Sequence, residues 1–236
     1  SAVEFAEADS KEYIAGLRLG ISTDTQDITG NTLKSSNSLP SKAELEQALS
    51  AFKGEISQIP PMYSAIKVGG RKLYELARRG ESVERKPRRV TIDKLDIIGE
   101  NESDYVLDVV CSKGTYIRTL CNDIGDTLGC GGCMSSLRRV KAGAFSIEKA
   151  HTIDEIQAAA DNGGLDEIII PVDRLFSAYP ELTVRDTAEK KLRNGNVIKL
   201  AAPNGTYRVY TETGGFLLLG EASDNKLKTI KSFFEV

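Results

Sequence analysis

The sequence predicts an α+β fold: a mixed, largely antiparallel sheet with flanking helices, followed by a small β-rich C-terminal domain. Three observations carry that prediction. Residues 104–112 alternate, with Tyr105, Leu107, Val109 and Cys111 on one side and Val106, Asp108, Val110 and Ser112 on the other, which is the period of a strand. Directly after, Ile117, Leu120, Cys121, Ile124 and Leu128 recur at helical spacing, with Gly129 where a C-terminal cap belongs. Beyond Pro171, short apolar runs alternate with turn dipeptides at Asn194-Gly195, Asn204-Gly205, Gly214-Gly215 and Asp224-Asn225, the pattern of a small barrel or sheet.

In chain order, Tyr13, Ala15, Leu17, Leu19 and Ile21 alternate as a strand. Asp24, Asp27, Asn31 and two glycines make a turn-rich loop after it. Ser41-x-x-Glu44 is a capping-box signal that opens a helix through Leu45, Leu49 and Phe52, with Gly54 beyond. Ile59-Pro60-Pro61 ends any helix and forces extended backbone. Tyr63 to Val68 then reads as a strand and Gly70 to Gly80 as a short helix. Val90, Ile92, Leu95, Ile97 and Ile98 mark a strand whose period is imperfect near Lys94, and it pairs with 104–112 through the polar turn 100–104. Lys113-Gly114 turns the chain into the central helix with Thr115 as its N-cap. Met134 to Ile147 reads as a strand carrying Leu137, Val140, Ala142 and Phe145, and His151-Thr-Ile-Asp-Glu155 opens a helix ending near Asn162-Gly-Gly164. A boundary near Arg174 separates the last part, which holds a helix over 186–193 and strands at 207–210, 216–219 and 226–230.

At 236 residues and 40% hydrophobic content the chain can bury a proper core. It has neither an apolar run long enough to span a bilayer nor a signal-peptide pattern. Four cysteines without a secretory signal predict reduced thiols and a cytoplasmic setting. A formal net charge of −3 argues against a nucleic-acid binder, but its distribution argues the reverse. Between Pro61 and Lys94 stand ten basic residues, Lys67, Arg71, Lys72, Arg78, Arg79, Arg85, Lys86, Arg88, Arg89 and Lys94, against four acidic ones, so this segment carries +6 and the remainder −9. Such a cluster binds phosphate backbones through counterion release, although a solvated helix face carries similar charge. Met62, Tyr63 and Tyr74 interleave with the cations and offer surfaces for bases.

Arg118 is oddly placed, because a helix's first turn already carries partial positive charge. It calls for an anionic partner, either a protein carboxylate or a ligand phosphate. Cys130-Gly-Gly-Cys133 is a single C-x-x-C pair, and Cys111 and Cys121 are accounted for as packed residues, so no metal is expected. His151 is the sole histidine and stands at a helix start, where a polar cap is its expected role rather than a member of a triad.

Ser112-Lys-Gly-Thr-Tyr-Ile-Arg-Thr-Leu120, followed by Leu128-Gly129 and Leu137-Arg138-Arg139, resembles the core of the TruB family of bacterial tRNA pseudouridine 55 synthases. Gln58-Ile-Pro-Pro-Met-Tyr-Ser-Ala-Ile-Lys67 with Gly70-Arg-Lys-Leu-Tyr-Glu-Leu-Ala-Arg-Arg-Gly80 resembles it independently. So does Lys11-Glu-Tyr13 with Gly20-Ile-Ser-Thr-Asp24-Thr-Gln-Asp27-Ile-Thr-Gly30. The matches cover roughly residues 5 to 150 and imply a pseudouridine synthase-like core over 1–174, with a mobile RNA-gripping insertion at about 61–89 and a PUA-like RNA-binding domain over 175–236.

The resemblance implies isomerisation of uridine 55 in the T-arm of tRNA by base flipping, with no cofactor or metal. It makes Tyr13 the tyrosine that stacks on the base and helps move a proton, places Tyr116 and Leu137 in the uridine pocket, and pairs Arg118 with the catalytic aspartate. Lys67, Arg71, Lys72, Arg78, Arg79, Arg88 and Arg89 become the backbone grip. The expected partner is tRNA, bound by a monomer away from any membrane. In the family the nucleophile is an aspartate in a Gly-Thr-Leu-Asp-Pro stretch, and none occurs in these 236 residues. With an opening Ser1-Ala-Val-Glu-Phe5 in place of an initiator methionine, the expectation is a partial chain whose active site a separate N-terminal segment completes. Alone it would bind RNA without catalysis, which leaves a non-catalytic stem-loop binder as the alternative. Asp24 and Asp27 could be substitute carboxylates, but their turn-rich loop favours Asx-turns.

Overall fold

The computed structural model describes residues 10–101 and 103–234. The opening five residues, on which the partial-chain expectation partly rests, lie outside that range, as does Glu102 of the 100–104 turn. The chain divides into two compact units, Ala8–Ala150 and one built on His151–Val236. The boundary expected near Arg174 falls inside the second.

In the first unit the strands are β1 (Ser10–Leu19), β2 (Ile21–Thr23), β3 (Thr32–Ser35), β4 (Gly54–Gln58), β5 (Lys67–Val68), β6 (Arg71–Lys72), β7 (Arg88–Glu100), β8 (Asp104–Ser112), β9 (Gly132–Ala142) and β10 (Phe145–Ser146). The helices are α1 (Lys42–Ser50), α2 (Leu73–Ala77) and α3 (Ile117–Thr127). Six strands form one sheet in the order β10-β9-β1-β8-β7-β4, and every neighbouring pair in it is antiparallel. The core lies on one face, where Ala15, Leu17, Leu107 and Val109 of the central strands meet Leu45 and Leu49 of α1 and Ile117, Leu120, Cys121 and Ile124 of α3. Both halves of the capping box at Ser41 and Glu44 are formed.

The imperfect period near Lys94 is a β-bulge: the β7–β8 register shifts between Ile92 and Lys94. That turns Lys94 toward Asp108 of β8, whose Oδ2 lies 2.6 Å from its Nζ. The strand expected over Met134 to Ile147 is two strands. At Gly143, φ is +56°, and β10 folds back on β9 with Phe145 opposite Ala142. The strand expected over Tyr63 to Val68 shrinks to Lys67–Val68. Its first half curls, with Ser64 N–H donating to the Met62 carbonyl at 2.9 Å.

The second unit holds α4 (Ile153–Asp161), α5 (Leu165–Ile168) and α6 (Asp186–Arg193). Its five strands are β11 (Glu181–Val184), β12 (Ile198–Lys199), β13 (Gly205–Thr211), β14 (Phe216–Ser223) and β15 (Lys226–Ser232). They form one sheet ordered β11-β13-β14-β15-β12, with β11 and β13 parallel. Val184, Leu192, Val209, Leu217, Leu218 and Leu227 fill its core. Thr152, not His151, caps α4, its hydroxyl accepting from the Glu155 N–H. His151 stands one residue earlier, 4.0 Å from the Glu155 carboxylate. Among the described residues no helix is long and apolar enough to cross a membrane.

Candidate active site on the β1–β9 face

β1 and β9 set out the site. Tyr13 lies opposite Arg139, and Ala15 opposite Leu137, with no register shift between the two pairs. Residues directly opposite in an antiparallel pair share a face, so Tyr13, Ala15, Leu137 and Arg139 project to the side that α3 covers. The cover is partial. β9 is buried from Gly132 to Met134 and exposed from Ser136 to Arg139, and Leu137 keeps 45% of its surface. A leucine left open beside a half-buried tyrosine is a ready apolar wall for a flat ligand. Burial pushes the Tyr13 hydroxyl above its ordinary pKa, Cys111 adds to the shift, and the Arg139 guanidinium pulls it back. The hydroxyl is therefore protonated at neutral pH.

The β8–α3 connection supplies the other residues. Gly114 turns with φ +88°. Thr115 does not cap the helix: its hydroxyl donates to the Ser112 carbonyl at 2.9 Å, which satisfies the strand end and removes it from the helix start. Tyr116 is the N-cap, and no side chain caps α3 locally. The cap comes from β4. Buried Gln58 accepts from the Tyr116 N–H through Oε1 at 2.8 Å and donates from Nε2 to the Tyr116 carbonyl at 3.1 Å. Arg118 follows as the second helical residue and is half-buried. Among the described residues no carboxylate or other hydrogen-bond acceptor pairs with it.

The loop between β2 and β3 leans on the same helix. Thr119 Oγ1 donates to Gln26 Oε1 at 2.8 Å, and Gln26 holds a left-handed backbone with φ +62°. Met134 N–H donates to the Gln26 carbonyl at 3.0 Å, so the loop bridges α3 and β9. Its two carboxylates are engaged locally. Asp24 accepts from Asn31 N–H and Nδ2, each at 2.9 Å, and Asp27 Oδ1 accepts from Thr29 N–H at 3.0 Å and its hydroxyl at 2.7 Å.

The basic insertion grows from the end of β4 and returns at the start of β7, where Gln58 and Arg88 are register partners and Ser57 pairs with Arg89. Lys67, Arg71, Arg78, Arg79, Arg88 and Arg89 are exposed, and Lys72 is half-buried. Gly69 and Gly70, with φ of +59° and +82°, turn the β5–β6 hairpin that presents Lys67, Arg71 and Lys72. Tyr74 is already flanked by cations, with Lys72 Nζ 5.4 Å and Arg78 Cζ 5.3 Å from its ring centroid. Arg85 Nη1 donates to the Pro60 carbonyl at 3.1 Å and closes the root of the insertion. Among the described residues no group of three or more His, Cys, Asp or Glu side chains could hold a metal ion.

Three family models match along the chain: TruB family pseudouridylate synthase (N terminal domain) over residues 1–117, tRNA pseudouridylate synthase B C-terminal domain over 118–177, and Pseudouridine synthase II TruB, C-terminal, over 180–230. A tRNA pseudouridine synthase B of Clostridium kluyveri is 41% identical over 241 residues, covering 98% of this chain and 82% of the relative. The chain belongs to the TruB family. The tRNA pseudouridine synthase B of Bacillus subtilis is 39% identical over 230 residues, 92% of this chain and 74% of its own. Among solved structures, the TruB fold of this chain is similar to a Cbf5-Nop10-Gar1 complex, with TM-score 0.67 at 22% identity over 99% of this chain and 69% of that one. An H/ACA RNP bound to a substrate RNA containing 2'-deoxyuridine gives TM-score 0.65 at 20% identity over 99% and 69%.

Within this TruB chain, Tyr13 and Leu137 stand on one sheet face, and the helix carrying Tyr116 and Arg118 packs against it. The residue that sequence reading passed over is Gln58. Its signal was phase: in β4 it shares the inward side with Ile56, so a polar group sits where an apolar one is expected.

Proposed function

We propose that this chain binds the T-arm stem-loop of tRNA and forms the pocket in which uridine 55 is isomerised to pseudouridine. The observation that carries this reading is Arg118, a half-buried cation at a helix start with no anionic partner among the described residues. It is the second residue of the helix that packs, through Ile117, Leu120 and Ile124, on the sheet face holding Tyr13 and the open Leu137. The relatives' name supplies the reaction. The bond from uracil N1 to the ribose C1′ breaks, the base turns, and C5 bonds to C1′ while its hydrogen leaves as a proton and N1 takes one up. Uridine must leave the stack for this to happen. Tyr13 stacks on the extruded base, and Leu137 and Tyr116 wall the pocket. The neutral Tyr13 hydroxyl can donate a hydrogen bond or pass a proton. Exposed cations of the insertion bind the phosphates, and the C-terminal sheet acts as a PUA-like RNA-binding domain of a cytoplasmic monomer.

The reaction also needs a carboxylate as nucleophile or base. We assign it to the family's Gly-Thr-Leu-Asp-Pro stretch, which these 236 residues do not contain, and its position to the neighbourhood of the Arg118 guanidinium. Asp24 and Asp27 are held by their own loop. The test is tritium release from C5-labelled uridine in a T-arm stem-loop, by this chain alone and then with a segment bearing that aspartate. Binding without release by the chain alone, and release once the segment is added, is the expected result. Release by the chain alone would place the nucleophile among Ser1 to Val236. Binding with no release in either arm would favour the non-catalytic stem-loop binder.

A further inference from the structure

We propose that Gln58 is a positioning residue of the uridine pocket: its carboxamide fixes the Tyr116 peptide, and through it the start of the helix from which Tyr116 and Arg118 project. The inference rests on the pocket reading above and adds to it a residue that lines no part of the pocket. Gln58 keeps 2% of its surface exposed and lies 58 residues from Tyr116 in sequence. Both of its polar atoms are used on one residue, Oε1 by the Tyr116 N–H at 2.8 Å and Nε2 by the Tyr116 carbonyl at 3.1 Å. The pairing fixes the amide's orientation, because an N–H needs the oxygen and a carbonyl needs the nitrogen. The same carbonyl accepts the first helical bond, from Leu120 N–H at 3.0 Å.

α3 has no other cap, since Thr115 is committed to Ser112. Without Gln58, the half-buried start of α3 would lose the partner of the Tyr116 N–H and one of the two donors to the Tyr116 carbonyl, which would keep only Leu120 N–H. Its location adds a consequence. Gln58 ends β4, opposite Arg88, and the next residues are Ile59, Pro60 and Pro61. The root of the basic insertion is thus hydrogen-bonded to the start of the helix that carries Arg118. The segment that grips RNA and the wall that meets the base share one anchor.

The deciding variant is Gln58→Glu. Ionised, the introduced carboxyl accepts from the Tyr116 N–H but turns its second oxygen against the Tyr116 carbonyl. Protonated, it offers one acceptor and one O–H donor and restores both bonds. Arg85 and Arg88 on the adjoining segment, Arg118 in the first turn of α3 and the positive end of that helix's dipole favour the ionised form, while burial and the facing carbonyl favour the neutral one. Recovery is therefore expected toward the acid side, between about pH 8 and pH 5.5.

Two measurements are made. In the isolated chain, the Tyr116 amide protection factor should be high in the wild type at both pH values. In Gln58→Glu it should be low at pH 8 and restored at pH 5.5. In the form of the protein that releases tritium in the experiment above, kcat of Gln58→Glu should fall about 10- to 100-fold at pH 8 and climb toward the wild-type value on acidification, with stem-loop Kd within about twofold throughout. Gln58→Leu should show the kcat loss at every pH. In Gln58→Glu, a kcat deficit that ignores pH, an equal loss of kcat and RNA affinity, or an unchanged Tyr116 amide at pH 8 would each overturn the proposal. If Gln58→Leu fails to fold, the reversible behaviour of Gln58→Glu still decides. The amide measurement needs no turnover, so failure of the isomerase reading is distinguishable from failure of this one.

Discussion

Gly125 of α3 lies so close to Gly132 of β9 that a methyl group on Gly125 would stand 2.1 Å from the Gly132 amide nitrogen. The approach is reciprocal, since a Cβ on Gly132 would meet the Cys121 carbonyl at 2.7 Å. The atoms in the way are backbone and cannot rotate aside. Gly131 N–H also donates to the Gly125 carbonyl at 3.0 Å. The helix carrying Arg118 is therefore seated on the strand carrying Leu137, backbone against backbone.

Gly125→Ala should accordingly destabilise the fold despite alanine's better helix propensity. The propensity gain is about 1 kcal/mol, whereas overpacking against fixed backbone costs about 1–3 kcal/mol or more. Urea unfolding should give a net loss. A variant as stable as the wild type would show that helix and strand can part without cost.

That close approach was not legible in the sequence, although much around it was. The run 104–129 announced a strand, a turn, a helix and its end because each signal is local: alternation, Gly114, apolar spacing, and Gly129, whose φ is +74°. The β7 bulge showed as a broken period at Lys94 for the same reason. Thr115 misled because a hydroxyl at a helix start has two nearby partners, and here the strand-end carbonyl won. β11 and β12, four and two residues long, carry too few side chains to show a period. In the site, Arg118 stood out by its conflict with the helix dipole. Gln58 did not, since its meaning depends on a partner 58 residues away.

The exposed cations of the insertion should dominate RNA affinity without setting sequence choice. Arg89 is paired with Glu55 at 3.2 Å, but both side chains are largely exposed, at 82% and 62%, so the pair is weak and open to exchange. Replacing Arg78, Arg79, Arg88 and Arg89 by Glu should weaken cognate and scrambled stem-loops alike. The slope of log K against log salt should flatten by about 0.7–0.9 for each phosphate that the variant no longer neutralises. Binding measured by fluorescence anisotropy at several salt concentrations checks both. An unchanged slope would make the segment an ordinary solvated face.

Cysteine chemistry predicts an alkaline weakness. Burial pushes the Cys121 thiol well above its ordinary pKa, with Cys133 and Asp27 adding to it. In the unfolded chain the thiol titrates near ~8.5. A folded pKa raised above the unfolded one leaves stability intact below the unfolded value and removes it as pH rises toward the folded value. At pH 10 the cost from Cys121 alone should be about 2 kcal/mol. Urea melts at pH 7.5 and pH 10 should show that loss in the wild type and a smaller one in Cys121→Ala. Native protein should also be slow to react with a thiol reagent, as Cys111, Cys121, Cys130 and Cys133 are all buried. Equal pH dependence in the two proteins would refute the assignment.

Arg118 offers a test that separates catalysis from stability. It is the second residue of α3, half-buried, at the end of the helix where the dipole is positive, with no anionic partner among the described residues. A cation so placed does not help the fold. Arg118→Gln should leave stability unchanged or raise it by about 0.5–1 kcal/mol, while removing the group that would orient the catalytic carboxylate. Arg118→Lys keeps the charge but loses the planar fork that binds a carboxylate through two parallel bonds. In the isomerising form of the protein its kcat should drop about 10- to 100-fold, with stem-loop Kd unchanged, because the pairing organises the nucleophile and not the backbone grip. Together the two variants form a pattern that a structural ion pair cannot produce: activity lost while stability is kept or gained. If Arg118→Gln unfolds more easily and Arg118→Lys turns over normally, Arg118 serves the fold and its guanidinium has no part in the reaction.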